Sequence, residues 1–174
     1  MASSLTRTSS PIQISASVSE VAANSFTAEE IDLTLNALDQ EVFIVTQVNL
    51  DCDAPDPNAN PGNYQVNASV STTKRATVGG MGNSNVIASA RNELITAAAV
   101  GGEFSCVLLS REDPIFSPTD MDYIGIIATN NAFLNIQGLG NGNAKSAQVR
   151  IYGYRAKASA SVYAALVQSE LLSA

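Results

Sequence analysis

The sequence predicts an all-β fold, an antiparallel β-sandwich of about eight strands with one or two short helices. Apolar and polar residues alternate in most segments, as they do in strands that bury one face. Clusters of Pro, Gly, Asn and Asp separate these segments, a spacing typical of sandwiches and jelly rolls. The 174 residues suffice for one domain, so we expect a flexible arm over residues 1–10 and a single jelly-roll-like sandwich over residues 11–174.

The strongest strand signal lies in Glu41–Cys52, EVFIVTQVNLDC. Because side chains alternate between the faces of a strand, its five apolar residues at even positions are expected to share one core. These residues are Val42, Ile44, Val48, Leu50 and Cys52. Phe43 and Val45 lie on the other face, so the strand is predicted to be apolar on both faces at its start and on one face at its end.

Two strands are predicted before this one. Ile12–Val18 alternates regularly, and Glu20–Phe26 is expected to connect it to the next element. Thr27–Glu30 matches the capping box that begins many helices. The period of two that follows instead favours a strand over Ile31–Leu38.

Local turns suggest how these strands pair. Asp39 and Gln40 are expected to make a tight turn that joins the preceding strand to Glu41–Cys52 as a hairpin. The loop Asp51–Asn63 contains three prolines and several Asp and Asn residues, all turn formers. The strand predicted after it, Asn63–Thr73, is expected to lie antiparallel to Glu41–Cys52.

The second half of the chain contains the predicted helices. Apolar residues within Asn85–Ala99 fall near helical spacing, with Asn85 as a cap and an end near Gly101. An Ala-rich helix is predicted over Ser159–Leu172, with a final strand as the alternative. The remaining predicted elements are strands at Glu103–Glu112, Tyr123–Thr129, Ala132–Gln137 and Ser146–Ala158, a loop at Asp113–Asp122, a hairpin turn at Asn130–Asn131 and a turn at Gly138–Asn143.

Composition excludes several kinds of chemistry. The chain has no His, which rules out His-based acid–base catalysis, Ser–His and Cys–His pairs and His metal sites. It has no Trp, the residue that most often stacks on sugars or anchors interfaces. No catalytic motif is present, so we expect a protein that is not an enzyme. Sixteen Asp and Glu residues leave a pair of glycosidase carboxylates as a minor alternative.

Charge is scarce and unevenly distributed. Charged residues form 14% of the chain, against about 25% in an average domain. Residues 1–73 carry nine acids and one base, whereas residues 74–174 carry seven acids and eight bases. Neither half has the basic character of a nucleic-acid footprint. The chain also lacks a signal-peptide pattern and a long apolar run, so we expect an unprocessed, soluble protein without membrane insertion.

The acidic loop is the best metal candidate. Asp51, Asp53 and Asp56, with Asn58 and Asn60, offer the oxygen ligands that calcium prefers. Their spacing does not match an EF-hand, and a solvated turn is the favoured interpretation. No cofactor other than calcium is expected.

Four other features are weighed against ordinary structural roles. The Gly79–Gly82 run resembles a phosphate loop but lacks the following GK[ST], so a surface excursion is favoured. Asn67 begins a glycosylation sequon inside a predicted strand, where chance is favoured. Cys52 and Cys106 are interpreted as two buried free thiols, with a disulfide as the alternative. The basic and aromatic residues Arg150, Tyr152, Tyr154 and Arg155 resemble a single-strand binding face, but a covered sheet face is favoured.

The chain resembles the single jelly-roll coat proteins of small tailless viruses and phages. The resemblance rests on a Ser/Thr-rich arm, about eight strands, the Gly79–Gly82 excursion, the strand VRIYGYRAKA and the Ala-rich end SVYAALVQSELL. It implies a major capsid subunit that assembles with copies of itself, and with other virion proteins, into the shell of a virion. The arm carries only Arg7, so strong direct binding of nucleic acid is not expected. A capsid decoration protein and a secreted lectin-like sandwich are the alternatives.

Overall fold

The computed structural model describes residues 5–56, 61–98, 104–111, 115–116 and 122–172. Within these ranges the chain forms eleven β-strands, one α-helix and one 3-10 turn, with the strands in two antiparallel sheets. The predicted antiparallel β-sandwich is therefore confirmed. Eleven strands exceed the expected eight because three of them have only two or three residues.

The strands, in chain order, are β1 Leu5–Arg7, β2 Ile12–Ser19, β3 Thr27–Asp32, β4 Glu41–Cys52, β5 Gly62–Ser71, β6 Val86–Ala98, β7 Phe104–Arg111, β8 Ile115–Phe116, β9 Gly125–Ile127, β10 Asn131–Leu139 and β11 Ser146–Ala158. The 3-10 turn is Ala37–Asp39 and the helix α1 is Ala160–Leu172.

Sheet one has β11 and β4 at its centre. β1 and β2 pair with successive parts of β11, and β9 and β8 pair with successive parts of β4. Sheet two has the order β3-β10-β5-β6-β7, so β3 and β7 are its edge strands.

Strands from the start of the chain pair with strands from its end, and the pairing continues inward along the chain. β2 pairs with β11, β3 with β10, β4 with β9, and β5 with β6, all antiparallel. Successive pairs lie alternately in sheet one and sheet two. The chain therefore forms a long antiparallel ribbon that is wrapped around one core, and strands adjacent in sequence mostly lie in different sheets.

This wrapping makes three predicted pairings wrong. β3 and β5 do not pair with β4, because both belong to sheet two. The residues Asn130 and Asn131 do not close a hairpin, because β9 pairs with β4 and β10 pairs with β3 and β5. Turn residues mark where each strand ends but not where the next strand goes.

The predicted strand over Ile31–Leu38 is displaced toward the N-terminus. The observed strand β3 starts at Thr27, which is therefore not a helix cap, and ends at Asp32. Thr34 then adopts a positive φ of 50°, and Asn36 caps the 3-10 turn by accepting a hydrogen bond from the Leu38 N–H. A backbone of this shape cannot continue a strand.

The predicted helix over Asn85–Ala99 is wrong, since this segment forms β6. Ile87 is an extra residue in the ladder, because Val86 pairs with Ser71 while Ala88 pairs with Val70. The inserted Ile87 packs against the same core as Ala88. An apolar pair in adjacent positions thus mimics helical spacing, although its cause is a β-bulge.

A second bulge changes the expected faces of β4. Thr46 is the extra residue, because Val45 pairs with Gly153 and Gln47 pairs with Tyr152. The bulge moves Val48 and the residues after it onto the same face as Val45. The core between the sheets therefore receives Phe43, Val45, Val48, Leu50 and Cys52. Val42 and Ile44 face the opposite way, so the expectation that all five even residues share one core is wrong.

The outer face of sheet one is half covered by α1. Val42 and Ile44 lie in a second apolar cluster with Ala156 and Ala158 of β11, and Val162 and Leu166 of α1 pack against it. The predicted C-terminal helix and the predicted strand at Ser146–Ala158 are both confirmed, and the alternative of a final strand is wrong.

Other predicted elements agree in part. β2, β5, β7 and β10 lie within or beside their predicted segments, whereas β9 is shorter than its prediction. The predicted loop Asp113–Asp122 contains β8, and most of its other residues lie outside the described ranges. Leu5–Arg7, within the expected arm, pair with β11 as β1. The arm's flexibility and its boundary stay predictions.

Candidate assembly surfaces

The edge strand β7 is the most exposed apolar element in the described part of the chain. Three consecutive residues, Val107, Leu108 and Leu109, have exposed fractions of 55%, 56% and 49%. Their neighbour across the ladder, Ile95, is also exposed. Because successive side chains alternate between faces, β7 presents apolar groups on both sides of sheet two. An apolar edge of this kind is a template for pairing with another chain.

The opposite edge of the same sheet is acidic. β3 carries the exposed residues Glu29, Glu30 and Asp32. Glu29 shares its face with the buried Ile31, and the other two carboxylates lie on the outer face. Charges at a strand edge discourage pairing with other chains. The two edges of sheet two therefore have opposite characters.

One flank of α1, beside the residues that pack on sheet one, is a second apolar surface. It contains a shallow cavity of about 570 Å³ lined by Tyr163, Ala164, Val167, Gln168 and Leu172, of which Tyr163 and Val167 also pack against the apolar cluster on sheet one. Leu172 is 78% exposed. The helix has only one charged residue, Glu170. The cavity is lined without a charged residue, so this flank of α1 is suited to contact with another apolar surface.

Glu170 fixes this helix to the sandwich. Its Oε1 accepts a hydrogen bond from the Ala128 N–H at 2.9 Å, and its Oε2 accepts one from the Thr129 N–H at 3.0 Å. These two amides directly follow β9. The single carboxylate of α1 is thus buried on the inner side, and the uncharged side faces outward.

The predicted acidic loop takes part in a polar network at one end of the sandwich. Asp56 accepts hydrogen bonds from the Lys145 ammonium and from the Asn143 N–H, the latter at 2.9 Å. The Lys145 hydrogen bond, aided by Asn143, holds the pKa of the Asp56 carboxyl below its ordinary value. Asp56 therefore joins the loop after β4 to the turn before β11.

The structure does not bring the three calcium candidates together. Asp53 accepts a hydrogen bond from the Ser146 N–H at 2.8 Å, and Asp51 is exposed on β4. Among the described residues, no group of three or more acidic or thiol side chains is placed to hold a metal ion. Asn58 and Asn60 lie outside these residues, and calcium stays a prediction.

Glu20 organises the same end of the molecule, and the sequence analysis missed it. This buried carboxylate accepts hydrogen bonds from the N–H groups of Asn24, Gly138 and Lys145, at 3.3, 2.7 and 2.9 Å. Asn141 adds bonds to Asn24 and to the loop after β4. A lone Glu in a connecting segment has no pattern that distinguishes it from a solvated residue.

The glycine-rich segment covers sheet two instead of extending freely. Gly79 donates its N–H to Ser69 Oγ at 3.3 Å, and Arg75 donates to Asn85 Oδ1 at 2.8 Å. Ser69 is on the outer face of β5 yet is fully buried. The segment joins two strands, so it has no following helix N-terminus of the kind that binds phosphate.

The predicted basic and aromatic face is divided among different environments. Arg7 stacks on Tyr154, with its guanidinium carbon 4.5 Å from the ring centroid. Arg155 points to the other side of β11 and donates to the Leu33 carbonyl at 3.1 Å. Tyr154 and Arg155 therefore do not contribute to one binding surface. The favoured interpretation of a covered face agrees with Tyr154, which packs against the cluster beside α1, whereas Arg150 is exposed.

A polar groove of about 740 Å³ lies on the uncovered half of sheet one. Its lining comes from β2, β4 and β11 and includes Ser15, Ser17, Asn49, Asp51, Gln148 and Arg150. None of the described lining residues is aromatic. This is the concave surface closest to what a lectin-like module requires, without the stacking platform that sugar binding usually employs.

The two cysteines are in unlike places. Neither forms a disulfide; Cys52 is buried, whereas Cys106 is exposed on β7. The predicted burial is therefore correct for Cys52 and wrong for Cys106, and the alternative disulfide is not formed. Asn67, the sequon residue, lies within β5 as expected.

Comparison with known proteins gives no family for this chain. No protein-family model matches the sequence, and no curated protein matches it. Neither helical element in the described ranges combines the length and the apolar character needed to cross a bilayer.

Proposed function

We propose that the chain is a structural subunit that assembles with copies of itself into a closed shell, as the coat subunit of a virus does. The observation that carries this proposal is the presence of two separate exposed apolar surfaces, the β7 edge and the flank of α1 that holds the shallow cavity. A single self-complementary surface joins only two copies, whereas a shell requires each subunit to bind neighbours in more than one direction.

The position of these surfaces supports the proposal. α1 lies against the outer face of sheet one, while β7 is an edge of sheet two. Contacts through them therefore lead away from the subunit in different directions. This is the arrangement that extends an assembly beyond a dimer.

The low charge of the chain also supports it. Only 14% of the residues are charged, and the exposed apolar surfaces carry few carboxylates or ammonium groups. Removing ionised groups from water is costly unless they are paired. A surface without them is buried between subunits at a smaller cost.

The connectivity is compatible with a coat protein. We interpret the first-with-last pairing, wrapped in alternate sheets, as a jelly roll, an arrangement found in virus capsids. The same fold also occurs in lectins and cupins, so it supports the proposal without carrying it. On this proposal the protein is located in the virion, its partners are copies of itself and other virion proteins, and it is not an enzyme.

Negative-stain electron microscopy of the purified full-length chain, combined with sedimentation velocity, tests the proposal. We expect closed particles containing many copies at micromolar protein concentration. A population that remains monomeric or dimeric over the whole concentration range contradicts a self-assembling shell.

A decoration protein is the second candidate. The polar groove on sheet one and the acidic edge β3 remain available when the two apolar surfaces are occupied. Such a protein binds a shell made by another protein and forms only small oligomers alone. Small oligomers in the experiment above therefore favour this candidate over the main shell subunit.

A further inference from the structure

We propose that β7 of one copy pairs antiparallel with β7 of a second copy, so that two five-stranded sheets become one ten-stranded sheet across a two-fold axis. This inference rests on the proposed function, since it names one contact of the assembly and the partner that makes it.

The backbone of β7 is ready for such pairing. In the described part of the chain β7 pairs only with β6, through a ladder of eight residue pairs from Arg91–Arg111 to Ala98–Phe104. The backbone N–H and C=O groups on its other side are directed away from the sheet. An added strand supplies hydrogen-bond partners for these groups and covers the apolar side chains on both faces.

Side-chain chemistry selects a second β7 as the occupant. The other edge of sheet two, β3, would place Glu29 and Glu30 against the apolar residues of β7, where the carboxylates would lose water without gaining a cation. Residues 104–110 of β7 carry no charge. Two β7 strands therefore bury apolar groups against each other without desolvating a carboxylate.

The alternation of faces defines the register. A two-fold axis perpendicular to the sheet places the outer faces of both copies on the same side. Odd-numbered residues of one β7 must therefore oppose odd-numbered residues of the other, and even-numbered residues must oppose even-numbered ones. Pairing centred on Leu108 places Val107 of each copy opposite Leu109 of the other copy. Both of these contacts lie on the outer face. On the inner face Leu108 meets the second copy's Leu108. This register brings all three exposed apolar residues of each strand into contact.

Cysteine crosslinking tests the partner and the register together. Directly opposed residues in an antiparallel pair have Cα atoms about 4.5–5.5 Å apart, within the range of a disulfide. In the proposed register the Cys106 residues of the two copies are four positions apart, roughly 13 Å along the strand. We expect Leu108→Cys in a Cys106→Ser background to form a covalent dimer under mild oxidation, and the native chain to form none through Cys106.

In the Cys106→Ser background, a covalent dimer with Val107→Cys and none with Leu108→Cys contradicts the register centred on Leu108. The absence of a covalent dimer at every position from 105 to 110, in a protein that sediments as an assembly, overturns the strand pairing itself. Because these side chains are exposed, the variants are expected to retain the native fold, which circular dichroism checks.

A charge substitution separates this inference from the proposed function. We expect Val107→Lys to raise the dimer dissociation constant roughly tenfold or more, since each dimer then buries two ammonium groups. Leu139→Lys is the matched control, because Leu139 lies in the same sheet and is 54% exposed, close to the 55% of Val107.

The outcomes are distinguishable. Shells that form equally well with Val107→Lys and with Leu139→Lys contradict the β7 contact and leave the proposed function intact. A native protein that forms only a dimer, which Val107→Lys dissociates, supports the contact and contradicts the shell. A native protein that stays monomeric contradicts both.

Discussion

Two edges of the same sheet face the solvent in this molecule, and their side chains have opposite characters. β3 has the carboxylates Glu29, Glu30 and Asp32, on both faces, while β7 has Val107, Leu108 and Leu109, also on both faces. Among the described residues each edge strand pairs with one neighbour, so the backbone groups on its free side have no strand beside them. The backbone makes both edges capable of pairing, and the side chains decide which of them does so.

The most direct way to break this contrast is to give β7 the character of β3. We expect Val107→Glu combined with Leu109→Glu to abolish assembly, because four carboxylates would be buried in each two-fold contact. Sedimentation velocity measures the loss of the large species. An unchanged particle population with both substitutions contradicts the role given to this edge.

The contrast between the two edges also requires a rigid sandwich to hold them in place. Gly153, in sheet one, offers a test of that packing. A Cβ at this position would lie 2.2 Å from the Ile44 carbonyl oxygen and 2.6 Å from the Phe43 ring. Gly153→Ala is therefore expected to lower the free energy of unfolding by about 1–3 kcal/mol or more. Urea unfolding measures it, with Gly80→Ala as the control, since a Cβ at Gly80 meets no atom within 4 Å.

At the loop-rich end, the polar network predicts a pH-dependent stability. Because the folded-state pKa of Asp56 is lowered, its contribution is present above the ordinary carboxyl pKa of about 3.9 and is lost as pH falls through the lowered value. We expect Asp56→Asn to reduce stability by about 1–2 kcal/mol at neutral pH. This difference from the native chain is expected to disappear in acid.

Thermal unfolding of both chains between pH 2 and pH 7 tests this expectation. A difference that stays constant down to the lowest pH contradicts the role of the ionised carboxylate. Asp51→Asn is a suitable control, because Asp51 is exposed and belongs to the solvent face of β4.

The smallest effect is expected from the acidic edge. Glu29→Thr combined with Glu30→Thr removes two charges from β3, and each cross-strand or edge contact of this kind contributes about 0.2–1 kcal/mol. We expect a modest rise in concentration-dependent association, measured by light scattering. If the substituted edge associates as strongly as β7 does, backbone exposure and not side-chain chemistry controls pairing.

The sequence predicted the fold class and the longest elements, for reasons visible in β11. β11 contains no inserted residue and alternates regularly up to Gly153, and Ser146–Ala158 was predicted with the observed bounds. In β4 and β6 the inserted Thr46 and Ile87 break the period of two. The first reversed the expected faces of Val42 and Ile44, and the second produced a false helix.

Pairings and edges were harder to predict. The rule that sequential strands pair favours local hairpins, whereas this chain joins β2 to β11 and β3 to β10 across roughly one hundred residues or more. Edge position follows from such long-range pairing. The uncharged run in Phe104–Ser110 was the one available sign that β7 is unusual, but nothing local showed that it lies at an edge.

Sedimentation velocity of the native chain beside Val107→Lys, over a range of protein concentrations, tests the central claim most directly. The account predicts large assemblies for the native chain and their loss in the variant, with Leu139→Lys behaving like the native chain. A native chain that sediments as a single monomer at every concentration contradicts it.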